Sequence, residues 1–212
     1  MLLLTLKIAG TATLVALVAG VLLSGLASRR SFIGRDWLDV LCTLPLVLPP
    51  TVLGYYLLVL AGRRGILGKW LWDTFHIQLV FTWQGAVFAA SIVAFPLIYK
   101  SARAGFESVD HNLENAARTL GSCETGVFFR VSLPLAWRGI LAGTLLAYAR
   151  SMGEFGATLM VAGNLPGKTQ TLSLAVFDAV QAGNDDLANQ LVVLASVVCA
   201  GILYGVGKLL KH

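Results

Sequence analysis

The sequence predicts an all-α fold, a polytopic membrane helix bundle of about five spans built as a single domain over residues 1–212. Three observations predict it. Of the 212 residues 57% are hydrophobic and 13% charged, against about 45–50% and about 25% in a soluble domain, so the excess apolar surface needs lipid or other membrane helices to cover it. Apolar runs of about 18 residues or more, each long enough to cross a hydrocarbon core about 30 Å thick, recur at 8–26, 40–61, 79–99 and 187–207. A fifth run, 135–162, is apolar but holds Arg138, Arg150 and Glu154. The same composition excludes disorder. The net charge of +5 is explained by loop cations of a membrane protein, and nucleic acid is not expected as a partner. Cys42, Cys123 and Cys199 are odd in number and widely spaced, which suits small hydrophobes rather than a disulfide or zinc set.

The run at 8–26 is longer than the apolar core of a cleaved leader and has little basic flank beyond Lys7, so it is expected to remain as a span. Its Ala12, Ala16, Gly20 and Ser24 form a four-residue ridge, as do Gly139, Gly143, Ala147 and Ser151, and Gly201 with Gly205. Such ridges let helix backbones approach closely in lipid, either inside one subunit or across a homodimer seam. The second span holds Pro45, Pro49 and Pro50, and the third holds Pro96. Each removes a backbone donor, so both helices are expected to kink or unwind. That is tolerated at membrane depth only inside protein or beside a watery cavity. A pathway-forming bundle fits better than a passive anchor.

With the N-terminus outside, cytoplasmic segments carry ten cations (Arg29, Arg30, Arg35, Lys100, Arg103, Arg118, Arg130, Arg138, Lys208, Lys211) and outer segments five (Lys7, Arg63, Arg64, Lys69, Lys168). The excess favours N-out and C-in, although Arg63, Arg64 and Lys69 cluster against it. The cytoplasmic segment 100–134 then stands out. Phe106, Val109, Leu113, Ala116, Ala117 and Leu120 fall at helical spacing and predict one amphipathic helix. Gly121 is placed to close it in the left-handed conformation. A second short helix over about 123–132 follows, and Pro134 suits the first turn of the next span. Periodicity alone leaves a membrane-surface helix and a docking element equally open.

Asn-Ala-Ala-Arg-Thr-Leu-Gly at 115–121, followed after nine residues by Val131, Ser132, Leu133 and Pro134, resembles the EAA loop of ABC importer permeases. The family's Glu falls on Asn115, while a Glu stands one place earlier at Glu114, so its usual contacts must be reached differently or forgone. The resemblance implies that Glu114, Asn115, Ala116, Ala117, Gly121, Val131, Leu133 and Pro134 belong to a coupling element seated in a separate ATP-hydrolysing subunit. It extends along the chain: Leu-Pro-Leu-Val-Leu-Pro-Pro-Thr-Val-Leu-Gly-Tyr at 44–55, Gly-Arg-Arg-Gly-Ile-Leu-Gly at 62–68 and Ala-Arg-Ser-Met-Gly-Glu-Phe-Gly-Ala-Thr at 149–158 are similar to the molybdate permeases of the type I importers. Glu-Phe-Gly also occurs in the related sulfate permeases, so sulfate, thiosulfate and tungstate remain alternatives. The resemblance implies the type I importer permease fold in a bacterial inner membrane, alternating access, a homodimer, two ATP-binding subunits holding ATP-Mg, and an extracytoplasmic substrate-binding protein. No cofactor is expected on this chain.

Pro49, Pro50, Arg150, Glu154, Phe155 and Gly156 are the candidates for the pathway or gate. Arg150 and Glu154 stand four apart and would share a helical face. They either neutralise one another, as intramembrane charges must, or Arg150 borders the ion path while Glu154 orients it or works in the gate. Ala-Gly-Asn-Leu-Pro-Gly-Lys-Thr at 162–169 satisfies a loose phosphate-loop pattern but lacks the preceding strand, and an outer turn is expected. His76, His111 and His212 are scattered; neither catalysis nor a metal site is expected. A structural membrane protein and an intramembrane enzyme are the rivals of other classes, and the enzyme would need a paired catalytic set within the spans.

Overall fold

The computed structural model describes residues 1–29 and 33–210; Arg30, Lys211 and His212 lie outside the described residues. Among the described residues every regular element is helical. In chain order these are α1 (Leu2–Arg29), α2 (Arg35–Val47), α3 (Pro50–Ala61), α4 (Ile66–Phe75), α5 (Trp83–Glu107), α6 (His111–Thr119), α7 (Glu124–Val127), a π-helical turn (Phe128–Ser132), α8 (Leu133–Leu135), α9 (Trp137–Met152), α10 (Gly156–Ala162), α11 (Leu172–Gln181) and α12 (Asp185–Leu210). Three helices, α1, α5 and α12, are each long and apolar enough to cross a membrane, and two bent pairs raise the possible spans to five.

The bundle is organised around α5, which packs along α1 and α9. Its buried face is rich in alanine, with Ala86, Ala89, Ala90, Ala94 and Ala102 fully buried, so neighbouring backbones come close. Ala12 and Ala16 of α1 pack on Ala90 and Ala94, and Ala147 of α9 joins the second layer. A Cβ on Gly20 would lie 2.9 Å from Ile98 Cγ2, and one on Gly143 2.7 Å from Ser101 Cβ. Two of the three small-residue ridges are therefore consumed inside this subunit. The third meets nothing among the described residues, where Gly201 and Gly205 have no neighbour within 4 Å of an added Cβ. α1 is an integral part of the bundle, and its Thr5 accepts the Leu172 amide at 2.9 Å.

Several expectations need correction. Pro96 does not interrupt α5, which runs through it, and Pro45 does not interrupt α2. The break falls at Leu48 and Pro49, where α2 and α3 meet at 112°. Pro96 is fully buried in the part of the bundle where α1 and α9 pack along α5, so the helix does not unwind at the missing donor. The fifth span is also two helices, α9 and α10, interrupted at 153–155. The segment 100–134 starts inside α5, and its amphipathic helix is not continuous from Phe106: α5 ends at Glu107 and α6 begins at His111. Pro134 lies in α8, before a 69° bend into α9, rather than in that span's first turn.

Chain direction fixes which features share an end of the bundle. α5 has 25 residues, about 37 Å at about 1.5 Å per residue. At its start Lys7 Nζ stands 3.8 Å over the Trp83 ring, and Phe81 donates its amide to Val161 O at 3.0 Å. At its end Phe106 packs against Phe128, the rings tilted and their centroids 5.6 Å apart. The first residues, the turn after α3 and the turn after α10 thus occupy one end, and the 108–135 segment the other.

Candidate functional site

α6 begins where the Asp110 carboxylate accepts the Asn112 amide at 2.8 Å, which satisfies a free donor of the first turn. Its apolar positions face away from the bundle: Leu113 is 50% exposed, Leu120 86%, Ala116 is exposed and Ala117 half-buried. The inward position belongs to Glu114, 7% exposed. Glu114 Oε1 accepts the Ser132 hydroxyl at 2.5 Å, and its Oε2 lies 3.5 Å from His111 Nδ1 and 3.7 Å from Arg118 Nη2. A buried carboxylate demands such partners. The contacts that the displaced acid makes are therefore internal and tie the two halves of the motif together.

Asn115 points outward and accepts from Arg118 Nη1 at 2.8 Å, while Arg118 Nε and Nη2 donate to the Glu124 carboxylate at 2.7 and 3.3 Å. Glu124 holds the Arg118 guanidinium above its ordinary pKa. Gly121 adopts φ +84° and closes the helix as expected, with its amide on Arg118 O at 2.9 Å and the Ser122 amide on Ala117 O at 3.1 Å. Val131 lies half-buried in the π-helical turn, Leu133 half-buried and Pro134 exposed in α8. The result is a rigid knuckle with an apolar outer face.

A group of residues that sequence reasoning missed braces the end of the bundle from which this knuckle extends. Arg103 pairs with Asp39 and, at 2.8 Å, with Glu107; Arg35 reaches Glu107 at 2.7 Å; Tyr99 donates to Asp39 at 2.5 Å. The four charges join the start of α2 to the last turns of α5. Only the i,i+4 spacing of Arg103 and Glu107 was visible in the sequence.

The second cluster lies where the break between α2 and α3 meets the break between α9 and α10. Pro49 caps α3, Pro50 is its first residue, and a Cβ added to Gly156 would stand 2.8 Å from Pro50 Cβ. One turn on, a Cβ on Gly54 would lie 2.9 Å from Met160 Cβ and 3.0 Å from Ala157 Cα. α3 and α10 are thus in near backbone contact. Arg150 Nη1 donates to Glu154 Oε2 at 2.8 Å, but the two do not share a helical face, because α9 ends at Met152. Glu154 sits in the break, 2% exposed, and its Oε1 accepts the Ala157 amide at 2.9 Å. The pair joins the end of α9 to the start of α10. Phe155 packs on Phe177 of α11 with centroids 4.9 Å apart. Pro49, Pro50, Arg150, Glu154, Phe155 and Gly156 are brought into one region.

The 162–169 segment follows α10 rather than a strand. The amides of Lys168, Thr169 and Gln170 all donate to Leu165 O at 2.9–3.1 Å, so they are turned into the loop's own carbonyl and away from any phosphate. Among the described residues no group of three or more His, Cys, Asp or Glu side chains could hold a metal ion.

The model of the family described as "Binding-protein-dependent transport system inner membrane component" matches residues 14–210. The chain is 46% identical over 194 residues to the molybdenum transport system permease protein ModB of Escherichia coli K12, covering 91% of this chain and 85% of that one. It is 43% identical to ModB of Haemophilus influenzae, with 84% and 78% covered, and 38% identical to ModB of Mycobacterium tuberculosis, with 97% and 77% covered. In fold it is similar to a chain of the MetNI methionine ABC transporter (TM-score 0.73, 15% identity, 98% and 92% covered). A chain of a bacterial ABC transporter importing the acidic polysaccharide alginate is also similar (TM-score 0.78, 14% identity, 98% and 77% covered).

Proposed function

Because this chain belongs to the family of binding-protein-dependent transport system inner membrane components, we propose that it is the permease subunit of an ATP-driven molybdate importer. The observation that carries the proposal is the knuckle at 108–135. Its inward acid is satisfied by Ser132, while Leu113, Ala116 and Leu120 present an apolar surface that nothing among the described residues covers. Such a surface marks a protein contact. Molybdate follows from the names of relatives that align over most of their length.

In this reading two copies of the chain form the pathway and two ATP-binding subunits hold ATP-Mg. Those subunits receive the α6 faces on the cytoplasmic side of a bacterial inner membrane. An extracytoplasmic binding protein docks on the other end, where the N-terminus lies; the C-terminus is cytoplasmic. Closure of the ATP-binding pair draws the two knuckles together. Displacement of α6 passes through the Glu114–Ser132 bond to α8 and α9, and through the Arg103, Asp39 and Glu107 pairs to α2. Both routes end at the contact of α3 with α10. Packed helices move as units rather than deforming smoothly, so the bundle rocks and the pathway opens outward.

The test is ATP-dependent uptake of labelled molybdate into vesicles holding the assembled transporter and its binding protein, challenged with excess sulfate or tungstate. Uptake that tungstate suppresses and sulfate spares is expected. Uptake of sulfate in preference to molybdate would overturn the substrate, and no uptake of any oxyanion would overturn the proposal.

A further inference from the structure

We propose that the Gly-Arg-Arg-Gly turn at 62–65 forms an outer reception site for a tetrahedral oxyanion dianion. It relies on the proposed function only for which end of the bundle faces outward. The turn joins α3 to α4 at the end opposite α6 and borders an open cavity of about 490 Å³ lined by Leu58, Val59, Arg63, Arg64, Gln78 and Val80, among others.

The turn is closely packed, and it places its two arginines side by side. A Cβ on Gly65 would lie 2.1 Å from Val59 O, and one on Gly68 2.1 Å from Gly62 O. Neither backbone oxygen can move aside cheaply, so only glycine permits this approach of α3 and α4. Arg63 is fixed further: its guanidinium lies 5.0 Å over the Trp72 ring and donates to Gln78 Oε1 at 3.2 Å, while Gln78 Nε2 donates to Val80 O at 3.4 Å.

The cations of this corner, Arg63, Arg64 and Lys69, outnumber its one acid on α4, Asp73. At the other end Arg35, Arg103 and Arg118 each pair with a carboxylate. Among the described residues, none of the ion pairs involves Arg63, Arg64 or Lys69. Adjacent unpaired cations repel, and they stand on the side where loop cations are disfavoured. A doubly negative oxyanion removes the repulsion, and guanidinium forks match its oxygens geometrically. The open cavity beside the turn is large enough to receive a hydrated tetrahedral anion. Molybdate and sulfate share this chemistry, and the site increases their local concentration at the outer end of the bundle.

Trp72 supplies the readout. The assembled transporter in nanodiscs, without its binding protein, is titrated at low ionic strength with sodium molybdate, sodium sulfate and sodium chloride while tryptophan fluorescence is followed. Molybdate and sulfate are expected to give a saturable change that chloride at matched ionic strength does not, and Trp72→Phe should abolish it. Arg63→Gln or Arg64→Gln should each raise the midpoint about tenfold, the loss of one charge-assisted contact. Retained ATPase activity confirms that the variants are folded. A flat titration, or midpoints unmoved in Arg63→Gln/Arg64→Gln, overturns the site. Docking of the binding protein that fails in this double variant while the anion titration is flat also overturns it, assigning the arginines to an acidic protein face. Normal uptake beside a flat titration rejects the outer site alone and leaves the transport function standing.

Discussion

Ser132 donates its hydroxyl to Glu114 across 2.5 Å, eighteen positions along the chain, and both residues are buried. This contact joins α6 to the π-helical turn that leads into α8 and α9. Replacing Ser132 with Ala removes one donor from the buried Glu114 carboxylate, a loss of about 1–3 kcal/mol. The expected outcome is a lower unfolding temperature of the assembled transporter and ATP hydrolysis that continues with less uptake per ATP. Ser132→Thr, which restores a hydroxyl, should recover part of both. Unchanged uptake per ATP in Ser132→Ala would remove Ser132 from the transmission route.

The outer face of α6 should behave in the opposite way. Leu120 is 86% exposed, so Leu120→Asp should leave the stability of the isolated permease within about 0.5 kcal/mol, as for surface substitutions generally. Burying an aspartate in an apolar interface is unfavourable, and co-purification of the ATP-binding subunit should fall sharply. Retained co-purification would show that this face is not the docking surface.

At Gly121 only the backbone matters. Its φ is +84° and nothing lies within 4 Å of an added Cβ, so Gly121→Ala is expected to cost about 1 kcal/mol through conformation alone. Chemical denaturation of the purified permease would measure it. A loss several times larger would mean that the turn is packed in the assembly.

Gly156 is the contrasting case. An added Cβ would meet Pro50 Cβ at 2.8 Å, so Gly156→Ala must push α10 off α3. Overpacking of this kind costs about 1–3 kcal/mol. Uptake should fall while the complex still assembles, as judged by size-exclusion chromatography and transport in vesicles.

Arg150 and Glu154 invite a paired test. Arg150→Met leaves the buried Glu154 without its cation, a loss of about 3–5 kcal/mol when a buried pair is broken. In Arg150→Met/Glu154→Gln the charge is removed from both, and the side-chain oxygen of the introduced glutamine can still accept the Ala157 amide. Assembly restored in the double variant without restored uptake is the expected result, assigning Arg150 to the pathway. Restored uptake would reduce the pair to mutual neutralisation.

The features legible in the sequence were those with a local cause. Gly121 closes α6 because glycine alone enters the left-handed region freely, and the spacing of Asn115 to Pro134 marked the knuckle before its shape was known. Long apolar runs announced α1, α5 and α12. The helix breaks were less legible. Proline removes a donor wherever it stands, yet α5 survives Pro96 inside a tight alanine sheath while α2 and α3 part at Pro49. Gly153 and Glu154 look like the interior of an apolar span, and only the Ala157 amide at Glu154 Oε1 reveals an interruption. Glu114 was hidden for a related reason. A carboxylate on an amphipathic helix is assigned to water, and its partner Ser132 is distant in sequence.

The central claim is that the knuckle lies on the cytoplasmic side against a separate ATP-driven subunit, and Cys123 offers the most direct measurement. It is exposed at the start of α7, whereas Cys42 is buried. The Thr125 hydroxyl 3.2 Å away and the Gly126 amide hold its thiol below the ordinary cysteine pKa, which favours the reactive thiolate. In a Cys42→Ser/Cys199→Ser background, a membrane-impermeant maleimide should leave Cys123 unlabelled in intact cells and label it in inverted vesicles stripped of the ATP-binding subunit. Restoring that subunit should protect it. Labelling of Cys123 in intact cells would contradict the account.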